Sequence, residues 1–275
     1  MSLTVDAEKT KDLVSLIFVR SGLNEKDARL VAENLVQAEM RGIRSHGLVQ
    51  VANYSTFMRN GKINVNAAIK TISESDSAIS FDADFAPGAV AGRYAMAKTI
   101  EKAQKTGVAV STVKNATHFG FAAFYAQEAL KHDLIGLAFT SSSLLVAPFG
   151  GYKGYGLDFI VYLLTAVLGG SAIGRNENGV FEDAGKIGYN FAAIDISKFA
   201  DAESFKQTVD FAVRRIRSSK KAAGSERIYV PGEIEAELYE KARTDGLVLY
   251  DGVAGEISRT LGELGITESL DSVKK

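Results

Sequence analysis

The chain has 275 residues, 46% of them hydrophobic, enough for one large domain or two ordinary ones around a substantial core. Lys plus Arg (32) nearly balances Asp plus Glu (33), and the net charge of -1 excludes a general attraction to nucleic acid or to an anionic membrane surface. With no cysteine, disulfides and thiolate metal sites are impossible, and a reducing, cytoplasmic setting is expected.

In chain order, the first twelve residues contain no apolar signal region. Residues 7–22 and 25–41 read as two helices. Asn24 caps the second, Glu25 and Asp27 lie in its first turn, and Ala28, Val31, Ala32 and Leu35 follow at helical spacing. A strand is expected at 77–83, then a helix that Pro87 starts and Gly107 ends. Residues 108–113 and 134–140 look like buried strands flanking a helix over roughly 118–131. The apolar run 159–168, within a helix expected over 157–168, is too short to span a bilayer. A strand at 190–196, a helix from Asp201 to about Lys220 and another near 233–245 complete the pattern. Interleaved helices and strands predict a mixed α/β architecture.

Three stretches could carry chemistry, and each also has a plain structural reading. In "RGIRSHGL" (41–48), Ser45 precedes His46, a side chain that titrates near neutral pH and suits proton transfer to a carbonyl. The same residues could simply end a helix. In "NATHFGFAAFYAQEAL" (115–130), a helix opening near His118, Phe119 and Gly120 would offer free amides to an anion, with Gly120 allowing a ligand close to the backbone. The alternative is an ordinary helix capped by Thr117. In "PFGGYKGYGLDF" (148–159), glycines surround Lys153, but neither the G-x-G-x-x-G spacing nor a phosphate-loop Lys-Ser or Lys-Thr pair is present. A flexible basic loop that could hold a phosphate remains, beside a plain loop.

Taken in order, "RGIRSHGL", "THFGFAAFYA", "VAPFGG", "KGYGL" and "RIYVPGE" resemble the malate/L-lactate dehydrogenase family over about residues 8–265. The resemblance implies a mixed α+β, non-Rossmann nicotinamide-binding fold of the malate/L-sulfolactate dehydrogenase type, with a helical N-terminal segment. It also implies a homodimer that transfers a hydride between NAD or NADP and a small 2-hydroxy or 2-oxo acid, with no metal. By the same resemblance, Ser45, His46 and His118 are catalytic, and Gln50 and Ser142 contact substrate. Cofactor contacts fall to His118, Phe119, Gly120, Phe121, Ala122, Lys153, Gly154, Arg227, Pro231, Gly232 and Glu233. The implied organisation is an N-terminal helical segment (1–75) packing with the C-terminal part, a cofactor-binding region (76–150), and a C-terminal region (151–275) completing the substrate and dimer domain.

The chain departs from the family pattern twice. Relatives follow "PFGG" with a long block before "KGYGL", whereas here Gly151 leads at once into Tyr152 and Lys153, and the family's relay aspartate is missing with the block. Gln50 also stands where many members carry an arginine that grips the substrate carboxylate, leaving Arg44 or Arg41 to supply the charge. The sequence therefore leaves three readings open: a malate- or lactate-type dehydrogenase, a ureidoglycolate dehydrogenase, and an inactive dimeric remnant that serves as a binding or structural protein.

Overall fold

A computed structural model describes residues 3–141, 151–171, 173–175, 181–183 and 187–275. A short strand, β1 (Leu3–Val5), precedes α1 (Ala7–Arg20), which begins where the Asp6 carboxylate accepts the Lys9 N–H at 2.9 Å. Asn24 does the same for Asp27 at 3.0 Å and starts α2 (Glu25–Met40). Two tight turns, Arg44–His46 and Leu48–Gln50, lead into α3 (Val51–Arg59).

The chain continues through β2 (Lys70–Glu74), β3 (Ala78–Asp82), α4 (Gly88–Thr106), β4 (Val108–Ala116), α5 (Ala123–Leu130) and β5 (Leu134–Thr140). Next comes α6 (Tyr152–Tyr162), which passes into a π-helical turn at Leu163–Val167. A small hairpin, β6 (Ile173–Arg175) with β7 (Phe181–Asp183), precedes β8 (Ile187–Asp195) and α7 (Ala202–Arg217). The last elements are α8 (Glu233–Asp245), β9 (Leu247–Leu249) and α9 (Asp251–Glu263).

Five strands form one mixed sheet in the order β2-β3-β4-β8-β5. Only β3 and β4 run parallel, joined by α4 as a crossover; the other neighbours are antiparallel. Alternation along β4 divides the two faces. Ser111 points to α4, where its hydroxyl meets that of Thr99 at 2.6 Å. Thr112 points the other way, towards Gly169 just beyond the π-helical turn.

Two apolar cores result. In one, α1, α2 and α3 pack with β9, α9 and the chain end through residues such as Phe18, Leu35, Leu249, Ile257 and Val273, while β1 pairs with β9. In the other, the sheet packs against α4 and α5 through Phe81, Met96, Phe119, Tyr125, Tyr189 and Phe191. Because β8 lies between β4 and β5, this second core draws on chain from both sides of residue 150.

The structure corrects two expected boundaries near the site. The helix expected over 157–168 begins at Tyr152, so Lys153 and Gly154 lie in its first turn instead of in a loop. The helix expected over 118–131 begins at Ala123, and residues 117–122 form an irregular connection. Thr117 does not cap it; its hydroxyl donates to Ala86 O at 2.9 Å. The buried rings of Phe119 and Phe121 pin this connection into the core and delay the helix. Among the described residues, no helix is long and apolar enough to cross a membrane.

Candidate active site

The turn after α2 carries Ser45 and His46. Ser45 Oγ lies 2.8 Å from His46 Nδ1, which occupies one ring nitrogen and leaves Nε2 for another partner. Gln50 Nε2 donates to Ser45 O at 2.9 Å, and Gln50 Oε1 accepts from Asn53 at 3.2 Å. Both ends of the Gln50 amide are thus engaged within the turn and the start of α3. Beside the turn lies the buried Glu39, which accepts the Leu48 N–H at 3.0 Å and stands 3.8 Å from Arg44 Nε. Burial raises the Glu39 pKa above its ordinary value, against the opposing pull of the Leu48 N–H and the Arg44 charge.

His118 arrives from the connection between β4 and α5 and stacks on His46, with ring centroids 5.1 Å apart and planes 30° apart. Tyr54, on α3, places its hydroxyl 2.5 Å from His118 Nδ1 and 3.2 Å from His118 O. Burial raises the Tyr54 pKa, so the phenol stays protonated and able to donate. The start of α4 closes on the same loop: a Cβ at Gly88 would lie 2.2 Å from His118 O. Burial, and secondly the neighbouring His46, lower the His118 pKa. Two stacked imidazoles in this setting favour at most one positive charge between them.

The remaining predicted residues are less closely gathered. Phe119 is buried against Tyr125 and Tyr189, at 4.9 and 4.8 Å between ring centroids, which leaves only its backbone for a ligand. Gly120 has φ +75°, and a Cβ there would come within 1.8 Å of Asn34 Oδ1. Its lack of a side chain is needed for α2 to approach, so the space is not an opening for a ligand. Phe121 is buried, and Ala122 is exposed at the start of α5, which has no side-chain cap. Lys153 is exposed and Gly154 partly so in the first turn of α6, which also lacks a side-chain cap. Ser142 lies outside the described residues.

In the 227–233 segment, Arg227 pairs with Glu233 and with Glu237, the latter at 2.5 Å. Glu233 also accepts the Val230 N–H at 2.9 Å and meets Arg217 at 3.0 Å. Pro231 precedes Gly232, which stands at φ +86° before α8. Neither arginine near the Ser–His turn is free to replace a charge at position 50. Arg44 lies over the Tyr250 ring at 4.4 Å and donates to its hydroxyl, while Arg41 lies 4.4 Å from the Tyr239 ring and donates to Gln37.

These residues suit the anionic part of a dinucleotide in one respect. The first turns of α5 and α6 have amides without side-chain caps, and Lys153 adds a positive charge to the second.

Sequence reasoning missed Glu39 and Tyr54. Each had a signal: Glu39 takes the next place in the buried series Val31, Leu35, and Tyr54 falls at helical spacing with Val51, Ser55 and Met58.

Comparison with known proteins follows the same lines. The family described as malate/L-lactate dehydrogenase matches residues 5–152 and 145–258. The malate dehydrogenase of Pyrococcus abyssi is 26% identical over 332 residues, covering 91% of this chain and 92% of that enzyme. The L-sulfolactate dehydrogenase of Methanocaldococcus jannaschii is 28% identical, covering 94% of this chain and 96% of that enzyme. An NAD-dependent ureidoglycolate dehydrogenase of Escherichia coli is 24% identical, with 91% and 94% covered. The solved malate dehydrogenase of Pyrococcus horikoshii superposes with a TM-score of 0.89 at 25% identity over 96% of each chain. The solved M. jannaschii sulfolactate dehydrogenase gives 0.87 at 27% identity over 99% of each chain. An alignment of 332 residues exceeds the 275 of this chain, so the P. abyssi enzyme carries residues without a counterpart here. The two family-matched segments meet at 145–152, where "PFGG" runs into "KGYGL".

Proposed function

The chain belongs to the malate/L-lactate dehydrogenase family, and from that premise we propose that it transfers a hydride between NAD or NADP and a small 2-hydroxy or 2-oxo acid of malate or lactate type. One observation carries the reading: His46 and His118 stack, and each has its Nδ1 held by a different hydroxyl, Ser45 for one and Tyr54 for the other.

Bound NAD(P) would supply the hydride acceptor or donor. The side chains handle the accompanying proton. When the hydroxy acid is oxidised, its hydroxyl proton passes to His46 Nε2; when the oxo acid is reduced, His46 returns that proton to the oxygen. Ser45 fixes the His46 ring through Nδ1. His118, kept neutral by burial and by its neighbour, takes the Tyr54 hydroxyl proton in a hydrogen bond at Nδ1, the shorter of the two Tyr54 contacts. That leaves an Nε2–H on His118 as a donor to a substrate oxygen.

A bound cofactor would lie against the His118 side chain and the backbone of 119–122, Lys153 and Gly154 at the start of α6, and the 227–233 segment. The 1–75 region, with the chain end, carries the acid–base pair, the 76–150 region contributes to cofactor binding, and residues 151–275 complete the substrate and dimer domain. A homodimer accounts for the apolar side chains that α6 and the turn after it expose, among them Leu157, Phe159, Ile160 and Leu168. A cytoplasmic location suits a cysteine-free enzyme that draws on nicotinamide pools. Ureidoglycolate is the second substrate class, favoured by Gln50: a binding site without a cation at that position suits an acid with further hydrogen-bonding groups.

The test follows NADH and NADPH absorbance while the purified chain, its intact mass confirmed, meets pyruvate, oxaloacetate and other 2-oxo acids, with ureidoglycolate tried in the oxidative direction. Turnover with one acid and one cofactor is expected. Absence of turnover from a folded chain of the calculated mass would support the remnant reading in its place.

A further inference from the structure

Glu39 is a carboxylate on the buried face of α2, one helical repeat beyond Val31 and Leu35. A carboxyl group in that position is costly unless it is partnered. The partners all come from the turn that follows. Oε2 accepts the Leu48 N–H at 3.0 Å, and Oε1 stands 3.8 Å from Arg44 Nε. Gly47 is packed so closely that a Cβ on it would lie 2.4 Å from Glu39 Oε2 and 3.1 Å from Glu39 N. Arg44, Gly47 and Leu48 bracket Ser45 and His46 on both sides in sequence, so Glu39 grips the turn at either end of the reactive pair.

We propose that Glu39 is a positioning residue: by accepting the Leu48 N–H and seating Gly47, it fixes the turn that carries the His46 ring. The acceptor oxygen, rather than the charge, is the working feature. The contact with Arg44 is long, and Arg44 is held independently by Tyr250. A glutamine keeps an oxygen for Leu48, whereas a leucine of similar size does not. Losing the acceptor leaves the buried Leu48 N–H unpaired, which itself lowers stability, so the position of His46 is read separately from stability.

The catalytic meaning of this inference rests on the proposed role of His46, but its test does not. The chain has three histidines, His46, His118 and His132, so each ring resonance can be assigned by its own substitution. Glu39→Leu is expected to shift and broaden the His46 ring signals, to move those of His118 less, and to leave His132 unmoved. Glu39→Gln should leave all three near their parent positions. In turnover, Glu39→Leu should lower kcat roughly tenfold or more with NAD(P)H affinity held within about twofold, and Glu39→Gln should stay within about threefold of the parent. If Glu39→Leu does not fold, Gly47→Ala displaces the same contact from the other side and is read by the same signals. Unmoved His46 signals in the folded one of these variants would overturn the proposal. So would a Glu39→Gln chain as perturbed as Glu39→Leu, because the charge would then be the working feature. Ring signals need no substrate, so a chain without dehydrogenase activity would defeat the proposed function and leave this inference standing or falling separately.

Discussion

Around His46 and His118, neighbours from four parts of the chain converge: Glu39 from α2, Tyr54 from α3, Gly88 from the start of α4, and Gln50 from the turn itself. In α6, α7, α8 and the 227–233 segment the construction is the opposite. None of α6, α7 and α8 has a buried residue, and Arg227 and Glu233 pair with each other and with nearby charges instead of with a buried group. The acid–base half of the proposed site is thus preorganised within one chain, whereas the half proposed to hold cofactor has its surfaces still to cover. A dinucleotide or a second copy of the chain would supply that cover.

The largest effect should come from breaking the preorganised half. His46→Ala is expected to cut turnover of the accepted 2-oxo acid by roughly 10²–10⁴-fold, because a positioned acid–base group contributes on that scale. A loss of only a few-fold in steady-state kinetics would remove the proton-transfer role. The contrast in packing can be read from two glycines that share a left-handed φ. Gly120→Ala meets Asn34 at once and should cost about 3 kcal/mol in denaturant unfolding, from the strained φ and the clash together. Gly232→Ala, with open space around its Cβ, should cost only about 1 kcal/mol, from the φ alone. Equal costs would mean that the two regions are packed alike.

In the less covered half, Arg227→Ala should change the melting midpoint little, since the arginine end of the pair is exposed and Glu233 keeps Arg217 and the Val230 N–H. The same change should weaken NAD(P)H binding roughly tenfold in a fluorescence titration if the segment grips the cofactor. Unchanged affinity would confine Arg227 to its pairing with Glu233 and Glu237. The smallest effect concerns pH. Because the folded His118 pKa is depressed below the ordinary 6.5, its contribution to stability is present above that value and is lost as pH falls through the folded value. The free energy of unfolding should therefore fall less steeply as pH drops below 6.5 in His118→Asn than in the parent. An identical acid limb would show that His118 keeps an ordinary pKa in the folded chain.

Much of the fold was legible because local signals agreed with the global pattern. Asn24, Pro87, Gly107 and Asp201 mark element boundaries that the structure keeps, and the strands expected from 108 and 134 begin there, although the second, expected to be buried, buries only Leu134. Elements whose signals are weak were not anticipated. β2 is an edge strand exposed along its whole length, so it lacks an apolar alternation. α9 holds three glycines, Gly252, Gly255 and Gly262, which lowers its helical signal. α3 has an apolar spacing, but it is only nine residues long and follows two tight turns, so the pattern covers little more than two helical turns. The site was legible only as separate stretches. That His118 lies on His46, that Tyr54 reaches His118 and that Arg41 and Arg44 are occupied by Tyr239 and Tyr250 are consequences of tertiary packing between distant segments, which no local spacing encodes.

The reaction proposed for this chain moves a hydride to the C2 carbon of a 2-oxo acid while His46 supplies the proton. The most direct measurement incubates the chain with a reduced nicotinamide cofactor carrying deuterium at both C4 positions and the accepted 2-oxo acid, then weighs the product. A hydroxy acid that has gained one deuterium at C2 is the predicted result. A product without the label, or no hydroxy acid from a folded chain of the calculated mass, would contradict the account.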